Sequence, residues 1–131
     1  MTEGEDICIT AVGELVRPAL DAAALLAEEG IHATVLDMYC VKPFDTDTFV
    51  KYASKAKCVM TVEEHAPYGG MGATAAVVLA ENCPKPMKLI ALPDAPVITG
   101  DSKQCFTYYG MDAAGLAKSA KELVERAKKQ L

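Results

Sequence analysis

The sequence predicts a three-layer α/β/α domain with a mostly parallel sheet of four or five strands. Short runs rich in Val and Ile recur along the chain at a nearly even interval. These runs are continuous more than alternating, which is typical of parallel strands covered on both faces. Helical patterns separate them, and this alternation of strands and helices indicates a parallel sheet with right-handed crossovers.

The four apolar runs are the predicted strands, and in a doubly wound sheet they would take the order 2-1-3-4. They comprise residues 7–12, 31–38, 58–62 and 87–92. This order places the switch point between the first and third strands. It therefore brings the turn at Gly13 and Glu14 beside segment 63–72, at the carboxyl edge of the sheet.

Four helices are predicted between and after these strands. The first spans 14–29 and stops at Gly30, and Asp45 is the expected N-cap of a short second helix. The third, 70–81, is so apolar that we expect it to be covered almost all round. The fourth follows the expected cap Asp112. Its apolar stripe comprises Ala113, Leu116, Ala117, Ala120, Leu123, Val124, Ala127 and Leu131.

Length and composition indicate one globular domain over residues 1–131. The chain has a mass of 13.9 kDa, with 51% hydrophobic and 24% charged residues. Its net charge of −5 argues against a general attraction to nucleic acid or to an anionic membrane. We expect neither a signal peptide nor a membrane span, because no basic-then-apolar leader and no long apolar stretch is visible.

Cysteine usage indicates a reducing compartment. The five cysteines are odd in number and none belongs to a C-x-x-C pair. Buried, reduced thiols are therefore expected, and the expected location is cytoplasmic. The residues are Cys8, Cys40, Cys58, Cys83 and Cys105.

Segment 63–72, Glu-Glu-His-Ala-Pro-Tyr-Gly-Gly-Met-Gly, is the most informative part of the chain. A strand that leads through a Gly-rich turn into a helix places free N–H groups and a positive dipole end beside two carboxylates and an imidazole. The segment is the candidate anion loop or interface. The residues concerned are Glu64, His65, Gly69, Gly70 and Gly72.

Two interpretations of the glycines compete. They could cradle a phosphate, or they could allow a tight turn and a close approach of the third helix to the sheet. The turn lacks both the ending of a P-loop and the spacing of a dinucleotide fingerprint. A helix N-terminus supplies only about 0.3–1 kcal/mol for an anion, and millimolar binding needs about 4 kcal/mol. Since the loop contains no Lys or Arg, packing is favoured.

The sequence predicts no catalytic, cofactor-binding or metal-ligating residue. Glu63 and Glu64 are neighbours on extended chain and point to opposite faces, so they do not form a carboxylate pair. One histidine with one carboxylate is too few ligands for zinc. We therefore favour His65 as a polar residue that orders the turn, and His32 as a surface residue. No Ser or Cys occupies a nucleophile elbow.

Five segments together resemble the C-terminal domain of transketolase-like, thiamine-diphosphate-dependent enzymes, over essentially the whole chain. Within this superfamily, the sequences Glu-Glu-His at 63–65 and Tyr-Tyr-Gly at 108–110 look most like those of transketolases encoded as separate N- and C-terminal sections. Deoxyxylulose-phosphate synthases and the β subunits of 2-oxoacid dehydrogenases share the domain and remain alternatives. The segments are Ile-Thr-Ala-Val-Gly at 9–13, Leu-Asp-Met-Tyr-Cys-Val-Lys-Pro-Phe-Asp at 36–45, Val-Glu-Glu-His at 62–65, Gly-Gly-Met-Gly at 69–72 and Tyr-Tyr-Gly-Met-Asp-Ala at 108–113.

The resemblance implies a mixed sheet whose short antiparallel first strand lies upstream of this chain, with residues 1–6 corresponding to the turn that follows it. It also implies that the domain holding magnesium and diphosphate, and the pyrimidine-binding domain, are absent from this chain. The chain is thus expected to bind no cofactor and to be inactive alone.

The parent enzyme would use thiamine diphosphate and Mg²⁺ to move a two-carbon ketol unit between sugar phosphates. The expected partners are the remaining transketolase domains or an N-terminal section, and further copies in a homo-oligomer. A stand-alone module that binds a small anion at the Gly-rich helix N-terminus is the alternative from another class.

Overall fold

The computed structural model describes residues 4–38, 45–63, 70–91 and 111–129. Within these ranges it contains one parallel sheet in the order β2-β1-β3-β4. This order confirms the predicted one and places the switch point between β1 and β3. The strands are β1 Ile7–Ala11, β2 Ala33–Asp37, β3 Val59–Val62 and β4 Met87–Ile90. The antiparallel strand implied by the resemblance remains an expectation.

Four helices accompany the described strands, and each lies close to its predicted position. A short 3-10 turn, Gly13–Leu15, leads into the first helix. The helices are α1 Val16–Glu28, α2 Thr46–Ala53, α3 Met71–Asn82 and α4 Ala113–Lys129. No helix in the described ranges is both long and apolar enough to cross a membrane.

Local side chains determine where several helices begin and end. The Asp45 carboxylate accepts a hydrogen bond from the Thr48 amide at 3.2 Å, and Asp112 accepts one from the Gly115 amide at 2.9 Å. Each bond satisfies an N–H group that has no partner within its helix. Gly30 follows α1 with a φ of +80°, which glycine adopts without a steric penalty. The predicted caps and stop are confirmed.

Strands β1 and β3 are buried throughout, whereas the edge strand β4 is only partly buried. Alternate side chains of β1 point to opposite faces of the sheet. Ile7 and Ile9 point towards α1 and α4, whereas Cys8 points towards α2 and α3. One core therefore lies on each side of the sheet, which makes the domain a three-layer α/β/α sandwich. The predicted fold class is confirmed.

The expectation that α3 is covered almost all round is wrong. Its buried residues are Met71, Gly72, Ala75 and Leu79, all on the side that faces the sheet and α2. On the outer side, Val77 is 57% exposed. A helix in an outer layer buries only one stripe, so the apolar residues on the other side of α3 remain accessible in this chain.

Lys85 joins α2 to the connection between α3 and β4. Its Nζ donates hydrogen bonds to the carbonyl oxygens of Ala53 and Ala56, both at 2.6 Å, and to that of Ser54 at 3.3 Å. Carbonyl groups at the C-terminus of a helix lack partners within it and carry partial negative charge. The ammonium group therefore stabilises the end of α2.

The residues before β1 are held against β2. The Thr34 hydroxyl donates to the Gly4 carbonyl at 2.7 Å, and the Thr34 hydroxyl oxygen lies 2.8 Å from the Gly4 amide. The Asp6 carboxylate accepts from the His32 amide at 2.8 Å and from the Lys57 ammonium at 3.3 Å. The His32 hydrogen bond, with a smaller contribution from Lys57, lowers the pKa of Asp6 although partial burial opposes the shift. His32 is exposed, as predicted.

Among the described cysteines, Cys8, Cys58 and Cys83 are free thiols. Cys8 and Cys58 are fully buried, and burial raises the pKa of each from 9.0 to about 11. Desolvation opposes the thiolate, so neither group behaves as a reactive nucleophile. Cys40 and Cys105 lie outside the described residues.

These two thiols predict a loss of stability in alkaline solution. Between pH 9 and about 11 the unfolded chain releases their protons while the folded chain retains them. The free energy of unfolding should therefore fall as pH rises, with a slope approaching about 1.4 kcal/mol per pH unit for each thiol. Urea denaturation at stepped pH measures this slope. The double variant Cys8→Ala with Cys58→Ala should be less stable at neutral pH and should lose the thiol-dependent slope; a slope equal to that of the parent chain would contradict the prediction.

Candidate functional site

The candidate site lies where β3 ends and α3 begins, at the carboxyl edge of the sheet. Glu63 directly follows β3, and Gly70 directly precedes α3. Two of the five candidate residues, Gly70 and Gly72, are in the described part of the chain. Glu64, His65 and Gly69 lie outside the described residues.

Glu63 is a buried carboxylate that binds the first turn of α3. Its side chain is almost inaccessible, with the residue only 2% exposed. Oε1 accepts a hydrogen bond from the Met71 amide at 3.0 Å, and Oε2 accepts one from the Gly72 amide. Bonds from amides to a carboxylate are charge-assisted, and the positive end of the helix dipole adds to them. The interaction ties the end of β3 to the start of α3.

Gly70 and Gly72 make room for this carboxylate. A Cβ on Gly70 would collide with the Glu63 carboxylate group. A Cβ on Gly72 would lie 2.8 Å from Glu63 Oε2, 2.8 Å from Thr61 Oγ1 and 3.1 Å from Leu89 Cδ2. Gly70 has an ordinary φ of −95°, so close approach, and not backbone conformation, requires glycine there. This geometry supports the packing interpretation.

Thr61 borders the same space. It lies two residues before Glu63 on extended chain, so both side chains point to the face of the sheet covered by α3. Thr61 is 0% exposed, and its Oγ1 has no hydrogen-bond partner among the described residues. Buried hydroxyl groups nearly always have a partner. The crevice below α3 therefore contains a polar group with which no described residue forms a hydrogen bond.

The geometry opposes binding of an external anion at the first turn of α3. The amides of Met71 and Gly72 already donate to Glu63. A phosphate beside them would meet the negative charge of this carboxylate in a dry environment, where like charges repel strongly. Within the described ranges, no cluster of His, Cys, Asp or Glu has the arrangement of a metal site.

The sequence interpretation missed the role of Glu63, although a signal for it was present. The third helix follows a glycine and has no acidic residue in its first turn. Its N–H groups therefore need a partner from elsewhere. The nearest preceding carboxylates are Glu63 and Glu64, and only the position of Glu63 on the buried face distinguishes them.

These features define a doubly wound α/β domain with two glycines, Gly70 and Gly72, at the switch-point edge, where the chain's own carboxylate binds the N-terminus of α3. The profile of the family described as "Transketolase, C-terminal domain" matches residues 1–116. The chain belongs to this family, which confirms the resemblance read from its motifs.

Three curated relatives illustrate the match. A subunit of the apulose-4-phosphate transketolase of Phocaeicola vulgatus is 41% identical, covering 96% of this chain and 40% of the relative. The putative transketolase C-terminal section of Methanocaldococcus jannaschii is 35% identical, and the match covers 99% of this chain and 40% of the relative. A 1-deoxy-D-xylulose-5-phosphate synthase of Geobacter sulfurreducens is 40% identical, and the match covers 89% of this chain and 19% of the relative. The chain thus spans about 40% or less of these relatives.

Solved structures agree with the fold. A split-gene transketolase, described as an inactive beta4 tetramer, superposes with a TM-score of 0.84 at 34% identity, covering 95% of this chain and 40% of that one. A transketolase mutant from Pichia stipitis gives a TM-score of 0.70 at 20% identity, and the superposition covers 95% of this chain and 17% of that one. The second likeness shows a shared fold alone.

Proposed function

We propose that this chain is the structural and interfacial C-terminal domain of a transketolase-like transferase. The complete enzyme would move a two-carbon ketol unit between sugar phosphates with thiamine diphosphate and Mg²⁺. The observation that carries the proposal is the family match over residues 1–116, together with relatives that are themselves transketolase subunits or sections. A role in deoxyxylulose-phosphate synthesis is the alternative within the superfamily, supported by the similarity to those synthases.

The site supports a structural role for this domain. A coenzyme diphosphate at the first turn of α3 would need the amides of Met71 and Gly72, and Glu63 already uses both. The residues present therefore do not fit the coenzyme at this helix. We propose that other domains of the enzyme hold thiamine diphosphate and magnesium, and that residues 1–131 form one domain that packs against them.

The outer face of α3 supports an interfacial role. Residues 71–80 contain no charged side chain, although Val77 is 57% exposed and Ala80 is also exposed. An uncharged apolar stripe on an outer helix is typical of an interaction surface. The proposed partners are the remaining domains or section of the transferase, and further copies in a homo-oligomer. Free thiols at Cys8 and Cys58 support a cytoplasmic location.

A stand-alone anion-binding module is the competing function. It would need N–H groups at the α3 N-terminus that are free to donate to a ligand, whereas the amides of Met71 and Gly72 already donate to Glu63. Titration calorimetry of the 131-residue chain with inorganic phosphate, and separately with thiamine diphosphate plus Mg²⁺, distinguishes the two functions. We expect no binding of either ligand. Micromolar binding of the coenzyme, worth about 8 kcal/mol, would overturn the proposed division of roles.

Activity of the assembled enzyme provides the positive test. The chain should be mixed with a section that carries the diphosphate- and pyrimidine-binding domains, encoded beside it or joined to it. We expect a complex in sedimentation velocity, and ketol transfer between sugar phosphates only when both parts and the coenzyme are present. Failure to form a complex with that section would contradict the proposal.

Substitutions at Glu64 and His65 test whether the candidate loop belongs to the interface. We expect Glu64→Gln and His65→Ala to change the free energy of unfolding by no more than about 0.5 kcal/mol and to weaken assembly. The denaturation midpoint and the dissociation constant of the oligomer measure the two effects. Glu28→Ala, at an exposed position on α1, is the control. Unfolding of either loop variant with association unchanged would mean that the loop is a buried structural network.

A further inference from the structure

We infer that the crevice between β3 and α3 is an anion site that the chain fills with its own Glu63 side chain. Removing that side chain should leave a binding site for a small free carboxylate. The inference goes beyond the proposed function, because it concerns the chemistry of the crevice and not the assembly of the enzyme. It also does not depend on the identity of any partner.

Two amides converge on the carboxylate from one side. Met71 N donates to Oε1 and Gly72 N donates to Oε2, so each oxygen has its own donor at the positive end of a 12-residue helix. With Glu63 only 2% exposed, these bonds form away from bulk water. Buried charge-assisted bonds are stronger than those at a surface. The site is therefore built to hold a negative group.

Thr61 provides an independent polar group in the crevice. Its hydroxyl is fully buried and unpartnered among the described residues. The hydroxyl oxygen and Glu63 Oε2 each lie 2.8 Å from the point where a Cβ on Gly72 would stand. The hydroxyl therefore lies beside the space that the carboxylate occupies, and it can donate to an anion that shifts slightly within that space.

The atoms that a substitution removes at Glu63 determine which small molecule should be used as the probe. The substitution Glu63→Ala removes Cγ, Cδ and both carboxylate oxygens, which are the same heavy atoms as those of acetate. Because Gly70 and Gly72 have no side chains, they leave room for these atoms. Acetate thus matches the vacated volume and charge, whereas acetamide matches the volume without the charge.

The experiment measures urea denaturation of the 131-residue Glu63→Ala variant in sodium acetate, in acetamide and in sodium chloride of equal ionic strength. The variant should be less stable than the parent chain. Acetate at about ten times its dissociation constant should raise the folding equilibrium constant about tenfold. Acetamide and chloride should not reproduce this gain. The parent chain and the exposed-site control Glu28→Ala should show no specific response to acetate.

Two further variants separate an anion site from a merely packed side chain. Glu63→Gln keeps the shape but places an amide donor against a backbone donor, so it should lose stability and gain no response to acetate. Adding Thr61→Val to Glu63→Ala should weaken the apparent affinity for acetate several-fold. If Glu63→Ala is unfolded in buffer alone, acetate should restore the folded fraction.

Three results would overturn the inference. They are a Glu63→Gln variant as stable as the parent chain, an equal response of Glu63→Ala to acetate and acetamide, and a Glu63→Ala variant that acetate does not stabilise. None of these results bears on whether the chain assembles with other transferase domains. The inference and the proposed function can therefore fail separately.

Discussion

Gly72→Val should destabilise the domain by more than about 3 kcal/mol. The first added carbon would lie 2.8 Å from both Glu63 Oε2 and Thr61 Oγ1, and the branched methyl groups would extend further into the same buried space. Relief of this clash requires α3 to move off the sheet or Glu63 to leave its two amides. The second movement leaves a buried carboxylate without partners, which is among the most costly single defects in a protein core. Chemical denaturation followed by circular dichroism measures the loss.

Gly13→Ala is the matched control for a glycine substitution. Gly13 has a φ of +66° with open space around its would-be Cβ, so the change carries only the backbone penalty of about 1–2 kcal/mol. A second check uses the Glu63→Ala background, where Gly72→Val should cost less because one of the clashing groups is gone. A cost at Gly72 below that at Gly13 would show that α3 does not approach β3 this closely. Gly70→Val should also destabilise the fold, since its Cβ would collide with the same carboxylate.

Leu123→Ala should lower the free energy of unfolding by about 2–5 kcal/mol. Leu123 is 2% exposed on α4 and belongs to the core cluster that includes Ile9 and Met60 of the central strands. Truncation removes buried apolar surface and leaves a cavity between α4 and the sheet that rigid strands cannot collapse to fill. The urea midpoint, at an unchanged denaturant slope, reports this loss.

Leu25→Ala is the control for the loss of the same side chain at a helical position outside the core. Leu25 lies on α1 and is 39% exposed, so its truncation should cost about 1 kcal/mol or less. A change at Leu123 below about 0.5 kcal/mol would mean that α4 is not docked on the sheet. Because Leu123 packs in the core on one face of the sheet and α3 packs on the other face, the effect of Leu123→Ala should add to that of a substitution at Gly72.

The element pattern was predictable because its causes are local. Asp45 and Asp112 cap helices through amides three residues away, and Gly30 ends α1 in a conformation that suits glycine. Continuous apolar runs identified the four strands, although each observed strand is shorter than its run. The apolar runs extend beyond the hydrogen-bonded part of the strands because residues such as Met38 and Cys58, next to the strand ends, still face the core.

The candidate site was predictable only in part. The requirement for glycine at positions 70 and 72 followed from a Gly-rich turn between a strand and a helix, and the structure shows the close approach at both. The sequence interpretation set Glu63 aside, since neighbouring carboxylates point to opposite faces of a strand. The two carboxylates do not act as a pair, but alternation along a strand does not reveal which of them faces α3, and the structure shows that it is Glu63.

By itself, the sequence determined the fold class, the strand order and the helix caps, since periodicity, caps and crossover rules act over short stretches of chain. Only the tertiary structure decided that Glu63 binds the first turn of α3, that Thr61 is buried beside it and that the outer face of α3 stays exposed. These features depend on how the layers meet. A hydrogen bond between residues eight or nine positions apart, or the exposure of one side of a helix, is set by the distance between packed elements, and no local pattern specifies that distance.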